Sequence, residues 1–237
     1  MRSGCPVVAA VLLGALSGAG APSPGEDRYT TARLQMVERY IAAEGIRDEA
    51  TLRAMRSVPR HEFVLPQYLD AAYENRPLPI GLGQTISQPY IVAYQTELVR
   101  PRKDLKVLEV GTGSGYQAAV LAATGAQVYT MEIFEALATS ARQRLERLGY
   151  RVNVRHGDGN LGWPEEAPFD AVLVTAAASH VPPALVEQLK PGGRMVIPVG
   201  ALYGVQNLVQ VDKDPSGTVR TRILLPVAFV PMLSGLR

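Results

Sequence analysis

A glycine-rich turn after a short apolar run is the first feature of the sequence that could do chemistry. Val107–Val110 leads into Gly111-Thr112-Gly113-Ser114-Gly115, and a helical pattern begins at Tyr116. Glycines at such a turn let the backbone approach a ligand closely and adopt dihedral angles that other residues avoid. The spacing lacks the third glycine of a dinucleotide-binding turn, because Tyr116 takes its place. Alone, the turn indicates only a tight connection between a strand and a helix.

Two acidic residues follow the next two predicted strands. Glu132 ends one strand, 21 residues after Gly111, and Asp158 lies between two glycines after the next. Each has a simpler interpretation, Glu132 as a solvated acid and Asp158 as a turn residue. However, the carboxyl ends of parallel strands meet at one edge of a sheet, where ligands of open α/β sheets bind. The turn and the two acids together predict a nucleoside site, with Glu132 on the ribose hydroxyls.

The acidic residues also indicate which nucleoside is bound. No segment has the G-x-x-x-x-G-K-[ST] pattern that cradles phosphates, so hydrolysis of ATP or GTP is disfavoured. Glu109 directly precedes the turn, where a carboxylate would repel a pyrophosphate but attract an ammonium group. S-adenosyl-L-methionine has a ribose, an adenine and an ammonium group and no phosphate. Glu109, Glu132 and Asp158 therefore favour S-adenosyl-L-methionine over NAD as the cofactor.

Alternating strands and helices must position these residues. From Lys106 onward the pattern predicts parallel β-α-β units, hence an α/β fold with a doubly wound, mostly parallel sheet. Two later runs flank a turn-rich loop and predict a C-terminal antiparallel hairpin. The predicted strands are Val107–Val110, Gln127–Met131, Arg151–Val154, Ala171–Val174 and Arg194–Pro198, the helices Tyr116–Thr124, Phe134–Leu148 and Pro182–Leu189, and the hairpin strands Val205–Val211 and Val219–Phe229.

Helices are also predicted before the sheet. Apolar residues at helical spacing predict one over Arg28–Ala43, and Asp48 is placed to cap a second that ends before Pro59. Residues 60–84 are rich in proline and glycine and are expected to be irregular but packed. A third helix is expected to begin near Ser87, with Ser87 as its cap.

Composition limits the class of protein. Of 237 residues, 47% are hydrophobic and 19% charged, which excludes wholesale disorder. Basic and acidic residues nearly cancel, 24 against 22, so no broad basic surface for nucleic acid is predicted. The single cysteine, Cys5, excludes an internal disulfide framework and a thiolate metal cage, and no metal site is predicted.

The first 21 residues have the pattern of a secretory signal peptide. One positive charge precedes a short apolar run with an Ala-x-Ala end, and the run is too short for a stable membrane span. The alternatives are a start codon assigned too early and a frayed apolar tail. Beyond this leader we expect an N-terminal helical, substrate-binding extension at 28–105 and an S-adenosylmethionine-binding core at 106–237, which together form one structural domain.

Residues 108–117 closely resemble the cofactor loop of the protein-L-isoaspartate O-methyltransferases, within the S-adenosylmethionine-dependent methyltransferase superfamily. Other stretches resemble the same family in the same order, from about residue 28 to the C-terminus. The most specific are Thr85-Ile86-Ser87-Gln88-Pro89 and Val174-Thr175-Ala176-Ala177. Further matches are Val58-Pro59-Arg60, Leu78-Pro79-Ile80-Gly81, Arg155-His156-Gly157-Asp158-Gly159 and Phe229-Val230-Pro231.

The resemblance implies a Rossmann-like methyltransferase fold and a function. This family methylates the α-carboxyl group of L-isoaspartyl residues in damaged proteins and peptides. The ester closes to a succinimide, which reopens partly to aspartate, so the damage is repaired. The family's active-site serine corresponds to Ser87. Its cofactor contacts correspond to Thr85, Ile86, Gly111, Thr112, Gly113, Gly115, Glu132 and Asp158.

This sequence departs from the family pattern at a few places. Asn160 stands where an aromatic or small residue is common, and Ala178-Ser179-His180 replaces a more proline-rich stretch. The leader is the larger departure, since the family is usually cytosolic and its cofactor is made in the cytosol. A cytoplasmic location is therefore expected, with a periplasmic or otherwise exported location as the alternative if residues 1–21 are cleaved. Oligomeric state is left open.

The expected chemistry needs no general base. A carboxylate nucleophile with a pKa near 3.9 is already ionised at neutral pH, and none of His61, His156 and His180 pairs with a serine in a recognisable motif. An NAD dehydrogenase would need a Tyr-x-x-x-Lys pair, and a nucleic-acid methyltransferase a basic face and its own catalytic motif. The alternatives kept are a methyltransferase with a different acceptor and an exported, non-catalytic binding protein on this fold.

Overall fold

The computed structural model of the protein describes residue 1, residues 24–201 and residues 204–235. The predicted leader therefore lies almost entirely outside the described residues. The helices are α1 (Pro24–Val37), α2 (Glu49–Ser57), α3 (Pro89–Leu98), α4 (Tyr116–Ala123), α5 (Glu135–Arg147) and α6 (Pro183–Glu187), and a π-helical turn, Glu38–Ala42, continues α1. The strands are β1 (Leu78–Gly81), β2 (Gln84–Ile86), β3 (Lys106–Val110), β4 (Gln127–Glu132), β5 (Val152–His156), β6 (Phe169–Val174), β7 (Leu189–Gly200), β8 (Gln206–Lys213) and β9 (Val219–Val227).

Within the described residues, seven strands form one sheet in the order β5-β4-β3-β6-β7-β8-β9. Strands β3 to β7 run parallel to their neighbours, whereas β7, β8 and β9 pair antiparallel. The strand order reverses between β3 and β6, and ligands of open α/β sheets bind outside the strand ends at such a reversal. The mostly parallel sheet and the C-terminal hairpin predicted from the sequence are confirmed.

Two predicted boundaries around α6 are wrong. The helix expected over Pro182–Leu189 is limited to Pro183–Glu187, and the strand expected at Arg194–Pro198 begins at Leu189. The antiparallel partner β8 pairs with Arg194–Gly200, while Leu189 pairs separately with Phe169 of β6. Proline and two glycines at 191–193 masked this early part of the strand because they disfavour a strand in sequence patterns.

The N-terminal elements and the sheet share one hydrophobic core. Arg60 lies at the junction, fully buried, and donates from Nε to the carbonyl of Ala72 at 2.9 Å. Its guanidinium carbon lies 4.8 Å from the ring centroid of Tyr116, the first residue of α4. This cation–π contact connects the N-terminal helices to the helix that follows the glycine turn.

The segment 60–84 is not wholly irregular, which corrects the sequence prediction. It contributes β1 and the first residue of the antiparallel partner β2, in a register that sets Leu78 opposite Ile86. Both side chains are buried, and Ile80 packs against the glycine turn so closely that a Cβ on Gly113 would lie 3.2 Å from Ile80 Cδ1. This small hairpin therefore holds residues 84–87 directly above the turn.

Ser87 does not cap α3, although the sequence suggested that it would. The helix begins at Pro89 with Gln88 as its N-cap residue, and no side chain of the cap residue bonds to the helix. Asn75, distant in sequence, supplies the cap: its Oδ1 accepts the backbone N–H of Tyr90 at 3.1 Å. The hydroxyl of Ser87 is thereby left for another role.

Candidate active site

The glycine turn adopts a conformation that its glycines require. Gly111, Gly113 and Gly115 have φ values of 100°, 52° and 89°, in the region that favours glycine. A Cβ on Gly111 would also lie 2.4 Å from Thr175 Oγ1. The Thr175 hydroxyl donates to the carbonyl of Gly111 at 2.7 Å, which joins the turn to the end of β6. The backbone of the turn and the end of β6 are thus in close contact at the point where the strand order reverses.

Glu132 fixes the turn from the neighbouring strand. Its carboxylate accepts the backbone N–H of Gly113 at 2.8 Å and that of Phe134 at 3.1 Å. The side chain is 5% exposed. Because an ionised carboxylate accepts about four hydrogen bonds, both oxygens keep acceptor capacity for a ligand. The structure therefore places Glu132 beside Gly113, in a structural role that the sequence did not indicate.

A cavity opens between the turn and Glu132. This cavity, called the loop cavity here, has a volume of about 60 Å³. Among the sequence-predicted residues, Thr85, Gly111, Gly113 and Glu132 line it. Residues 230–233 form its opposite side, and Thr175 lies at its base. The sequence predicts no role for these residues, although Thr175, Val230 and Pro231 belong to stretches that resemble the family.

Asp158 is not among the residues that line the loop cavity, although its neighbour Gly159 is. One carboxylate oxygen of Asp158 accepts the backbone and side-chain N–H groups of Asn160, each at 2.9 Å, and the other accepts the N–H of Gly235 at 2.9 Å. Partial burial alone would raise the pKa of Asp158, but these hydrogen bonds outweigh it and lower the pKa. The carboxylate is therefore ionised and held in place at the edge of the cavity.

A smaller cavity of about 30 Å³ lies behind the turn and is called the inner cavity here. The sequence-predicted residues Thr85, Ile86, Ser87, Glu109, Gly111, Thr112 and Gly113 all line it. Thr85, Gly111, Gly113 and Thr175 line both cavities, so the two adjoin. Gly115 lines neither; it is the N-cap residue of α4 and shapes the turn instead.

Glu109 is fully buried at the inner cavity. Its Oε2 accepts the hydroxyl of Thr130 at 2.6 Å, and that hydroxyl lies 2.7 Å from the hydroxyl of Thr112. Its Oε1 has no hydrogen-bond partner among the described residues. Burial raises the pKa of Glu109 to about 8; the Thr130 hydrogen bond opposes this effect and the Glu132 carboxylate adds to it. With no cation beside it the carboxyl group keeps its proton at neutral pH, and a ligand that brings a positive charge next to it would favour the ionised form.

An apolar groove of about 550 Å³ lies on the other side of Ser87. Thr85 and Ser87 line it together with Tyr90 and Ile91 of α3 and Phe229 beyond β9. None of the described residues that line the groove is charged. Ser87 therefore stands between an apolar groove and the inner cavity, and Thr85 borders all three spaces.

The described residues hold no cluster of three or more His, Cys, Asp or Glu side chains suited to a metal ion. Within the same residues, no helix has the length and apolar character needed to cross a membrane.

The comparisons with known proteins decide the family. The family model for protein-L-isoaspartate(D-aspartate) O-methyltransferase matches residues 32–237. The chain belongs to this family. A Syntrophobacter fumaroxidans relative named protein-L-isoaspartate O-methyltransferase 2 is 54% identical over 236 residues, which cover 95% of each chain. A Polaromonas relative of the same name is 64% identical over 186 residues, 78% of this chain and 88% of the relative.

Solved structures agree with this assignment. A protein-L-isoaspartate O-methyltransferase structure has a TM-score of 0.77 at 29% identity, covering 87% of this chain and 66% of that one. A Plasmodium falciparum structure described as a member of the same family, in complex with S-adenosyl-L-homocysteine, has a TM-score of 0.73 at 25% identity, covering 86% and 98%. The Rossmann-like methyltransferase fold and the S-adenosyl-L-methionine dependence inferred from the sequence are confirmed.

Replacing Glu109 by glutamine is predicted to change how stability depends on pH. The folded protein keeps the Glu109 proton up to a pKa of about 8, whereas the unfolded chain releases it near 4.5. The contribution of this group to the free energy of unfolding is therefore fully present below about pH 4.5. It is lost progressively as the pH rises from there through 8. Glutamine cannot ionise, so between pH 5 and pH 8 the variant should gain about 3–4 kcal/mol of unfolding free energy relative to the unaltered protein.

Urea unfolding of Glu109→Gln and of the unaltered protein at both pH values measures this difference. The exposed Glu146→Gln variant is the matched control and should show no such gain. Parallel pH profiles for Glu109→Gln and the unaltered protein would contradict the assignment of a buried, protonated Glu109.

Proposed function

We propose that this chain transfers the methyl group of S-adenosyl-L-methionine to the α-carboxylate of L-isoaspartyl residues, and that Ser87 positions that carboxylate. The observation that carries the proposal is the location of Thr85 and Ser87. They lie between the cavities at the glycine turn and an uncharged groove on the protein surface. A methyl donor held at the turn and a peptide held in the groove would meet at these two residues.

The residues at the turn fit the cofactor in charge as well as in position. No Lys or Arg is among the described residues that line the loop cavity or the inner cavity, whereas Glu109 and Glu132 are. A nucleoside phosphate would face these acids with no cation to offset them. S-adenosyl-L-methionine brings positive charge and no phosphate. We assign its ribose hydroxyls to Glu132, its adenine to Asp158 and its ammonium group to the neighbourhood of Glu109, and the bound cofactor supplies an activated methyl group.

The groove fits a peptide segment better than a small polar substrate. Its side chains come mainly from Tyr90, Ile91, Leu225 and Phe229, and none of its described lining residues is charged. An acceptor carboxylate therefore finds no salt bridge there. Its hydrogen-bond donor is the hydroxyl of Ser87, which the helix cap does not use. This arrangement supports entry of the isoaspartyl carboxylate at the Ser87 end of the groove.

Catalysis then depends on placement. The acceptor oxygen forms a bond to the methyl carbon as the bond from that carbon to sulfur breaks, which gives a methyl ester and S-adenosyl-L-homocysteine. The ionised acceptor needs no base, and opposite charges cancel during the step, so a site with little water favours it. Holding two reactants in line can supply up to about 7–11 kcal/mol of barrier reduction. The ester's later closure to a succinimide requires no further group of the protein.

The compartment is part of the proposal. We place the activity in the cytoplasm, where the cofactor is made, and keep export as the alternative if residues 1–21 are removed. Mass spectrometry of the mature N-terminus together with cell fractionation distinguishes the two. No nucleic acid is proposed as a partner, because the charges of the chain nearly cancel.

The acceptor is tested with two synthetic peptides that are identical except for L-isoaspartate or L-aspartate at one position. With S-adenosyl-L-methionine, the protein should form a methyl ester on the isoaspartyl peptide and at least about 100-fold less on the aspartyl peptide. Esters on both peptides would point to another acceptor. Binding of S-adenosyl-L-homocysteine without any ester would favour the non-catalytic alternative.

The role of Ser87 is tested by its replacement with alanine. A hydrogen bond to a charged group contributes about 1.5–3 kcal/mol, so kcat should fall about 10- to 100-fold, while the Kd for S-adenosyl-L-homocysteine changes less than about threefold. Steady-state methyl transfer and calorimetry give the two values. Ser179→Ala, at an exposed serine, should change neither. Equal losses of turnover and of cofactor affinity in Ser87→Ala would exclude the positioning role.

A further inference from the structure

The last described residues of the chain lie across the site. Residues 230–235, called the C-terminal clasp here, run along the carboxyl edge of the sheet. The Ala177 N–H donates to the Val230 carbonyl at 2.8 Å, and the Met232 N–H donates to the Ala177 carbonyl at 2.7 Å. Beyond Met232, the clasp is held by Asn160, which bonds to Leu233, and by Asp158, which bonds to Gly235. Four residues of the clasp, 230–233, form one side of the loop cavity.

Asn160 connects the clasp to Asp158. Its side-chain Nδ2 donates to Asp158 Oδ1 at 2.9 Å and to the Leu233 carbonyl at 3.0 Å. Both partners are oxygens that only accept, so the amide nitrogen must face them, and both amide hydrogens are used. One residue thus joins a carboxylate at the edge of the cavity to the segment that covers it.

The turn that carries Asn160 is itself fixed. Residues Gly159–Leu161 form a 3₁₀ turn whose N-cap, Asp158, accepts the backbone N–H of Asn160. A Cβ on Gly159 would lie 2.2 Å from Val110 Cγ1 and 3.5 Å from Met232 Cε. The turn therefore packs directly between the end of β3 and the clasp. This packing fixes the position of Asn160, which bonds to the clasp.

The loop cavity is too small for the ligand that the proposed function requires. Its volume is about 60 Å³ and that of the adjoining inner cavity about 30 Å³, whereas small-molecule sites are about 300–1,000 Å³. One side must move when a cofactor enters or leaves. The glycine turn and the strand ends are fixed by the sheet, by Glu132 and by Thr175. The clasp is held by the four hydrogen bonds described above and by the partly buried side chain of Met232, so it is the side that opens at least cost.

We propose that Asn160 is a positioning residue of the cofactor site: it locks the C-terminal clasp to Asp158 and so limits how fast cofactor and product leave. The inference rests on the proposed function, since it takes the loop cavity as part of the cofactor site.

The test measures dissociation of S-adenosyl-L-homocysteine from the full chain by stopped-flow displacement. Asn160→Ala should raise the dissociation rate about tenfold, equivalent to about 1.4 kcal/mol. The control is Asn153→Ala, which removes an asparagine of β5 that lines neither cavity nor the groove. This variant should leave the rate unchanged. Deletion of residues 233–237 should also raise the rate. In that shortened chain Asn160→Ala should have a much smaller effect, because the bond to Leu233 is already gone and Asn160 keeps only its bond to Asp158.

Hydrogen exchange of the ligand-free protein gives a second readout. The amides of Met232 and Gly235 should exchange about tenfold faster in Asn160→Ala, with the core strands unaffected. If the unaltered protein fails to bind S-adenosyl-L-homocysteine, the proposed function is wrong. If it binds but Asn160→Ala leaves the dissociation rate unchanged, or raises it equally in the shortened chain, the clasp mechanism is wrong and the proposed function stands.

Discussion

The bond between the Glu132 carboxylate and the Gly113 N–H is the interaction on which the site depends. It fixes the glycine turn to Glu132 at the end of β4. On the opposite side, Thr175 already contacts the turn, so the turn cannot move towards β6. The hairpin that carries Thr85 and Ser87 packs onto the same turn through Ile80. One carboxylate therefore fixes the distance between the cofactor side and the acceptor side of the site.

The electrostatics of the site follow from the same arrangement. Acidic groups approach the turn from β3, β4 and the loop after β5, and no Lys or Arg lines either cavity among the described residues. The protein limits the resulting repulsion in different ways: Asp158 is ionised and satisfied by N–H donors, whereas Glu109 keeps its proton at neutral pH. A cationic methyl donor is attracted by these acidic groups. A carboxylate acceptor is then attracted by the positive charge of the methyl donor, because no cation of the protein lines the cavities among the described residues.

The sequence predicted the sheet, the turn and the acids at the strand ends well, because each depends on residues close together in the chain. It failed where distant residues intervene. Ser87 has the residue type and the position of a helix cap, but Asn75 occupies that role from 15 residues away. The strand pairing of residues 78–86 was concealed by Pro79 and Gly83.

The C-terminal clasp shows the same limit at longer range. Nothing in the local pattern of residues 230–235 indicates that they reach Asp158, because the partners of Leu233 and Gly235, Asn160 and Asp158, lie more than seventy residues earlier. The family resemblance marked Asn160 as unusual without giving it a role. Its partners became apparent only when the turn after β5 and the chain end were seen to lie side by side.

The most direct test of this account is a crystal structure of the protein with S-adenosyl-L-homocysteine and an isoaspartyl peptide. The account predicts the nucleoside against Glu132, the isoaspartyl carboxylate within hydrogen-bond distance of Ser87 Oγ, and the peptide backbone along the groove lined by Tyr90 and Phe229. A peptide bound elsewhere, or an isoaspartyl carboxylate paired with a basic side chain and away from Ser87, would contradict it.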